Sequence, residues 1–386
     1  MKHKIKMGMV GGGPGAFIGN VHRMAARLDG KIELVCGAFS SSLEKSKQIS
    51  AELFIAPERA YKDYHEMLKK EASLPEEERI DFVSIVTPNH LHFPIAMAAL
   101  DYGFHVLCDK PMCMSLEEAK KLREKVNEKG LLFCLTHNYT GYPMVKQAKA
   151  MVQSGSLGEI RKVVAEYPQG WLSTKIEDSS HKQATWRTNP ETAGKSCCTA
   201  DIGTHAENLA EYITGLKIEE ICADLTSFVS GRALDDDSNV LVRFNNGAKG
   251  IIYASQMSIG EENDPQIRVY GSKGALEWKH IEPNTLIFKS NDAPKKMLRT
   301  GWGGTDSILA AHNTRMPAGH PEGFIEAFAN LYRNFAAAIE AVCDGICPDE
   351  LDLDFPTVED GILGLSFIET VLKSSASEKK WVKMID

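Results

Sequence analysis

Residues 4–22 read KIKMGMVGGGPGAFIGNVH. A short apolar run, Ile5, Met7, Met9 and Val10, enters a glycine cluster of Gly11, Gly12, Gly13 and Gly15. After Gly19 a helical apolar pattern runs over residues 21–28. Strand, glycine turn and helix is the order in which a phosphate-binding turn is built. Glycines let the backbone approach a pyrophosphate, and the N–H groups at the helix start point at it. Gly11 and Gly13 take the first two positions of G-x-G-x-x-G, and the third falls on Ala16. Glycine-rich turns also simply punctuate loops. Here the flanking strand and helix are the context that the motif requires.

Working outward, 386 residues suggest two domains. The chain is 43% hydrophobic and 25% charged, ordinary for a soluble globular protein. A net charge of −8, with no run of Lys or Arg, argues against a nucleic-acid surface. No stretch is long and apolar enough for a signal peptide core or a membrane span, so a cytoplasmic location is expected. Nine cysteines are scattered without paired C-x-x-C spacing. That pattern reads as reduced thiols rather than a disulfide frame or a zinc site.

Through about residue 136, apolar runs alternate with amphipathic helical stretches. Strands are expected at 5–10, 32–38, 81–86, 105–108 and 131–136, and helices at 42–53, 61–70, after His92 through Leu100, and at 116–129. Alternation of this kind means a parallel sheet with right-handed crossovers, and ligands of such sheets sit at the carboxyl ends of the strands. Three polar motifs follow strand ends: Thr87-Pro88-Asn89-His90-Leu91-His92, Asp109-Lys110-Pro111, and His137-Asn138-Tyr139. After about residue 160 the pattern turns β-rich. Strands are expected at 161–167, 221–228, 239–244, 248–254, 267–270, 275–278 and 285–288, with Asn245-Asn246-Gly247 as a hairpin signal. Residues 291–322 read as a polar loop, and 324–342 and 361–373 as closing helices. The fold class is therefore α/β: a parallel-sheet domain over residues 1–137, then an α+β domain with a large, mainly antiparallel sheet over 138–386.

Lys110, just past a strand, can reach over a cofactor to a substrate oxygen; a solvated loop lysine is the plainer alternative. Asp201 and His205, spaced i, i+4, would lie one turn apart on a helix, where a carboxylate orients an imidazole and raises its basicity. An N-cap aspartate beside an unrelated histidine fits the spacing equally well. No third ligand stands at metal-binding spacing, so no metal is expected. Trp186-Arg187 could set a guanidinium on a phosphate or carboxamide, and His320, in the polar loop, could contact substrate hydroxyls.

Taken in order, Gly19…His22, Thr87-Pro88-Asn89…His92, Asp109-Lys110-Pro111, Trp186-Arg187 and Asp201…His205 resemble the glucose–fructose oxidoreductase / inositol dehydrogenase (Gfo/Idh/MocA) family over nearly the whole chain. The resemblance implies an N-terminal Rossmann domain and a C-terminal domain whose open-faced sheet forms oligomer interfaces, hence a dimer or tetramer. It also implies hydride transfer between a nicotinamide cofactor and a carbinol of a sugar, inositol or glycoside. Lys110, Asp201 and His205 then take the catalytic positions. Cofactor contacts are expected from Gly11, Gly13, Pro14, Gly15, Ala16, Phe17, Ile18, Ser40, Ser41, Thr87, Pro88, Asn89, His92, Asp109, Lys110, Asn138, Trp186 and Arg187. Substrate contacts are expected from Lys110, Tyr167, Asp201, His205 and His320. Asp109 stands where the family has Glu, and Lys195-Ser196-Cys197 replaces a glycine triplet. Phe39-Ser40-Ser41 ends the second strand with neither acid nor Arg, which favours NAD with NADP possible. Two other readings stay open. One is an enzyme that keeps NAD bound and oxidises a glycoside transiently at C3 to permit bond cleavage. The other is a non-catalytic nicotinamide-binding sensor.

Overall fold

The computed structural model describes residues 4–179, 181–303 and 306–386. It divides into two compact units, residues 1–138 with 324–362 and residues 139–323 with 363–386.

The first unit starts with β1 (Ile5–Gly11), α1 (Phe17–Leu28), β2 (Ile32–Ala38), α2 (Leu43–Glu52) and α3 (Tyr64–Ala72). It continues through β3 (Phe82–Val86), α4 (His92–Asp101), β4 (His105–Cys108), α5 (Leu116–Lys129) and β5 (Phe133–Leu135). The strands form one parallel sheet in the order β2-β1-β3-β4-β5. All five residues of β3 are buried, as a strand covered on both faces requires. Local chemistry sets the helix ends. Ser115 caps α5 by accepting from the Glu118 N–H, Glu118 reaches back to the Met114 N–H, and Gly130 closes the helix at φ +62°. Strand order reverses beside β1, the place where doubly wound sheets bind nucleotides.

Residues 324–362 belong to this unit and not to the second, which departs from the contiguous division expected. The reason is apolar burial. Phe328, Leu331, Tyr332, Phe335 and Ile339 of the helix Phe324–Cys343 join Met7, Met9, Val21 and Ala25 in one core.

The second unit holds α6 (Pro143–Gln153), which the sequence reading did not anticipate, and β6 (Ile160–Pro168). Then come β7 (Ile218–Thr226), β8 (Asp237–Phe244), β9 (Lys249–Ser255), β10 (Gln266–Gly271), β11 (Ala275–Lys279), β12 (Thr285–Lys289), β13 (Lys296–Arg299) and β14 (Val382–Lys383). They form a nine-stranded sheet ordered β13-β12-β11-β10-β6-β9-β8-β7-β14, antiparallel except for β6 with β9. One face packs on the helix Thr204–Thr214. The other carries cross-strand ion pairs, Arg268 with Glu166 and Lys289 with Glu277. Within the stretch expected to be loop, 291–322, the chain forms β13 and a short helix, Ile308–His312.

Candidate active site

In the first unit, the turn after β1 is shaped by close approach. Gly11 has φ +92°, and a Cβ there would lie 2.7 Å from the Val86 carbonyl oxygen. The pattern's third glycine, whose role is close helix packing, is Gly19 and not Ala16. A Cβ on Gly19 would lie 2.4 Å from Gly12 Cα, so α1 is pressed directly onto the turn. Ala16 instead closes the turn through its N–H to the Gly13 carbonyl, 3.0 Å. Pro14, Gly15 and Phe17 are exposed and Ile18 half-buried, leaving the loop's own surface open to a ligand. Arg23, unremarked in the sequence, donates to the Gly12 carbonyl at 2.9 Å and braces the turn. At the end of β2, Ser40 Oγ accepts from the Ser42 N–H, and Ser41 is exposed.

The strand-end motifs of β3, β4 and β5 converge within this unit. Asp109 accepts from Thr136 Oγ1 at 2.8 Å, with His22 Nε2 3.8 Å away. Burial pushes its carboxyl up, but His22, Lys110 and His92 outweigh this and hold it well below the usual carboxylate range. His22 Nδ1 meets Tyr332 Oη at 2.8 Å, and Tyr332 meets Ser84 Oγ at 2.9 Å. His137 is buried beside Lys110, and burial with that charge lowers its pKa to about 3. His92 is 1% exposed and has both ring nitrogens against backbone carbonyls, Thr87 and Pro111, at 2.8 Å each. That corrects the expectation that His92 binds cofactor: its polar atoms are spent on the loops. Lys110 is half-buried, Pro88 half-buried and Asn89 buried.

In the second unit, Asp201 lies in a π-helical turn, Thr199–Gly203, that runs into the helix Thr204–Thr214 carrying His205. Such turns recur at functional sites. Asp235 builds this one from outside. Its carboxylate accepts from the Cys197 N–H (2.9 Å), the Thr199 N–H (2.8 Å) and Thr199 Oγ1 (2.8 Å). Asp201 Oδ2 accepts from Arg187 Nε at 3.2 Å and Gln256 Nε2 at 3.0 Å. Arg187 lies 4.2 Å from the Trp186 ring centroid and bonds Gln183 Oε1 at 2.7 Å. The guanidinium read as a phosphate or carboxamide ligand thus meets the Asp201 carboxylate through Nε, over the Trp186 ring.

His205 is buried with its ring edge-to-face on Tyr139, centroids 4.9 Å apart. Behind it runs a directed hydrogen-bond network. Trp171 Nε1 can only donate, and it donates to Gln169 Oε1 at 3.1 Å. Gln169 Nε2 therefore donates to Asn263 Oδ1 at 2.6 Å, which Tyr167 also serves at 2.6 Å. Asn263 Nδ2 donates to Tyr139 Oη at 3.1 Å. Tyr167 has spent its proton, so Tyr139 donates in the 2.6 Å contact between the two phenols. Burial, with Asp201 adding to it, pushes Tyr139 up to about 12 and Tyr167 well above its ordinary value, so both stay neutral. Tyr167 thus stands behind His205 in a closed network. His320 lies on an exposed turn with Nδ1 against the Pro317 carbonyl and takes no part in this cluster. Glu322 is consumed in holding that loop through the Arg315 and Met316 N–H groups.

Comparison with known proteins agrees over both units. Residues 5–137 match the model of an oxidoreductase family with an NAD-binding Rossmann fold, and residues 145–277 match the Gfo/Idh/MocA C-terminal domain. An uncharacterized oxidoreductase of Bacillus subtilis (strain 168), YfiI, is 34% identical over 384 residues, 98% of this chain and 96% of that protein. The chain belongs to the Gfo/Idh/MocA family. Among solved members, an oxidoreductase from Sinorhizobium meliloti is 44% identical, covering 98% of this chain and 99% of that one with TM-score 0.87. An inositol dehydrogenase homolog from Azotobacter vinelandii, complexed with NAD+, is 36% identical, covering 99% and 97% with TM-score 0.93. Like its relatives, this oxidoreductase has an NAD-binding Rossmann domain. Its own residues fit that cofactor: the glycine turn excludes a Cβ, and Thr87 Oγ1 and Asn138 Nδ2 are buried polar atoms without a protein partner at the ends of β3 and β5. Among the described residues no group of His, Cys, Asp and Glu could hold a metal ion, and no helix is long and apolar enough to cross a membrane.

Proposed function

We propose that the protein is an NAD-dependent dehydrogenase of a sugar or polyol carbinol. The observation that carries this reading is Asp201, held by Arg187 and Gln256 on the turn that leads into His205, in a member of this oxidoreductase family. The Azotobacter vinelandii homolog, in a second structure complexed with NADH and myo-inositol, is 35% identical over 99% of this chain, which supports the substrate class. Bound NAD supplies the hydride acceptor. His205 takes the hydroxyl proton as the carbon loses its hydride, Asp201 orients the imidazole, and Lys110 holds the reacting oxygen and shares the proton transfer. Thr87, Asn89 and Asn138 with the glycine turn hold the cofactor.

The test is formation of reduced nicotinamide with NAD or NADP across a panel of inositols, hexoses and glucosides. Lys110→Ala and His205→Ala should each lower turnover about 100-fold or more, the scale of a lost acid or base, with NAD binding retained. Near-normal turnover in both variants would overturn these roles. Bond cleavage without free NADH would replace net oxidation by a recycled cofactor.

A further inference from the structure

We infer that His92 is a doubly protonated clasp that joins the loop after β3 to the loop after β4 and thereby positions Lys110. The inference rests on the reading of Lys110 as catalytic. His92 begins α4 and is almost fully buried. Its Nε2 lies 2.8 Å from the Thr87 carbonyl oxygen, and its Nδ1 lies 2.8 Å from the Pro111 carbonyl oxygen. Neither carbonyl can donate, so each ring nitrogen must carry a proton for both contacts to be hydrogen bonds. A neutral ring would leave a bare nitrogen lone pair facing a carbonyl lone pair at that distance. Burial, with the Lys110 ammonium adding to it, outweighs the Asp109 carboxylate and the two carbonyls and lowers the ring's pKa. The imidazolium is inferred against that pull, from the two 2.8 Å carbonyl contacts that only a ring with two N–H groups can make as hydrogen bonds. Half-buried Asp109 is held ionised by His22 and Lys110 first and by His92 after them, so a positive ring adds to the charges that offset its carboxylate.

The geometric consequence lies in the chain connectivity. Pro111 follows Lys110 directly, and Thr87 opens the Thr87-Pro88-Asn89 turn. Asp109 is tied to β3 by its N–H to the Ile85 carbonyl, 2.9 Å, and to Thr136 by its side chain. Lys110 therefore sits between two anchored residues, Asp109 on one side and the His92-held Pro111 on the other. A lysine on a free loop would sample many positions; this one has its backbone held at both neighbours.

Two measurements test the clasp. In protein labelled with 15N-histidine, the signal lost in His92→Gln identifies the ring. At neutral pH both ring nitrogens should show directly bonded protons, and a ring with one bare nitrogen overturns the imidazolium. His92→Leu, which loses both contacts, should lower kcat about 10- to 100-fold, the scale of a catalytic group displaced by about an ångström. KM for substrate should change much less, and His92→Gln, which can keep one contact, should fall between. Unchanged kcat in both variants, with Lys110→Ala impaired, overturns the positioning role. Unchanged kcat in Lys110→Ala itself refutes the reading of Lys110 and leaves the nitrogen measurement to decide the clasp. Should His92→Leu fail to fold, His92→Gln and the nitrogen spectrum decide.

Discussion

Replacing Asp235 should unlock the turn that carries Asp201. Its carboxylate accepts from two buried backbone N–H groups, Cys197 and Thr199, and from the Thr199 hydroxyl. In Asp235→Ala the hydroxyl has an alternative, because Thr199 Oγ1 also lies 3.0 Å from Ser238 Oγ. The two N–H groups have none, since no other acceptor is bonded to them. Each buried donor left unsatisfied costs about 1–3 kcal/mol, so the variant should lose about 2–6 kcal/mol. Asp235→Asn keeps one oxygen. That oxygen can go on serving Thr199, while its amide faces the Cys197 N–H, so the loss should be nearer the cost of one donor, about 1–3 kcal/mol. Urea unfolding checks this: midpoints should fall in the order wild type, Asn, Ala, with an unchanged slope. A loss below about 1 kcal/mol in Asp235→Ala, the worth of one ordinary hydrogen bond, would refute the claim that this carboxylate builds the π-helical turn. Equal losses in the two variants would refute the assignment of separate donors to its two oxygens.

Three further outcomes are expected. Gly19→Ala sets a methyl 2.4 Å from Gly12 Cα; overpacking of this kind costs about 1–3 kcal/mol, and NAD affinity measured by calorimetry should fall because the turn must move. Gln256→Met removes one donor from Asp201 Oδ2 while Arg187 remains; a hydrogen bond to a charged group is worth about 1.5–3 kcal/mol, so kcat should fall roughly 10- to 100-fold, and an unchanged kcat would show that Arg187 alone suffices. His137 has its pKa lowered to about 3 in the folded unit, by burial and by Lys110. A depressed histidine contributes stability that is present above its unfolded pKa, about 6.5, and is lost as pH falls toward the folded value. The loss is up to about 1.4 kcal/mol per pH unit. Stability of His137→Gln, measured by urea unfolding, should therefore decline less steeply than wild type as pH falls below about 6.5; parallel slopes would contradict this.

Much of the proposed site was nominated by short, ordered motifs. Lys110 follows an apolar strand, and Asp201 and His205 stand four apart; spacing left plainer readings open, and it is the resemblance of the ordered motifs to the family that puts the three in catalytic positions. The partners that give them direction were not legible. Gln256 is 55 positions from Asp201 and Asp235 is 36 from Thr199. Nothing local in Trp171, Gln169 or Asn263 marks them as the chain that orients two phenols. Arg187 was read from its chemistry as an anion ligand, and that chemistry is right; the anion it meets is Asp201. Ala16 was placed by counting along a motif, whereas the close approach that demands glycine occurs at Gly19, across a lengthened turn.

The amino-acid sequence by itself determined the alternation of strands and helices, the parallel sheet with its glycine turn, the β-rich second half and the ordered motifs that carry the family resemblance. These follow from apolar periodicity and from the few residue types able to do a given job over a span of several positions. Tertiary structure decided that residues 324–362 complete the first unit, that Asp201 sits in a π-helical turn built by Asp235, and that His92 spends both nitrogens on carbonyls. Each depends on burial and hydrogen bonds between residues far apart in the chain. A buried polar atom must take its partner from whatever the fold brings within about 3 Å.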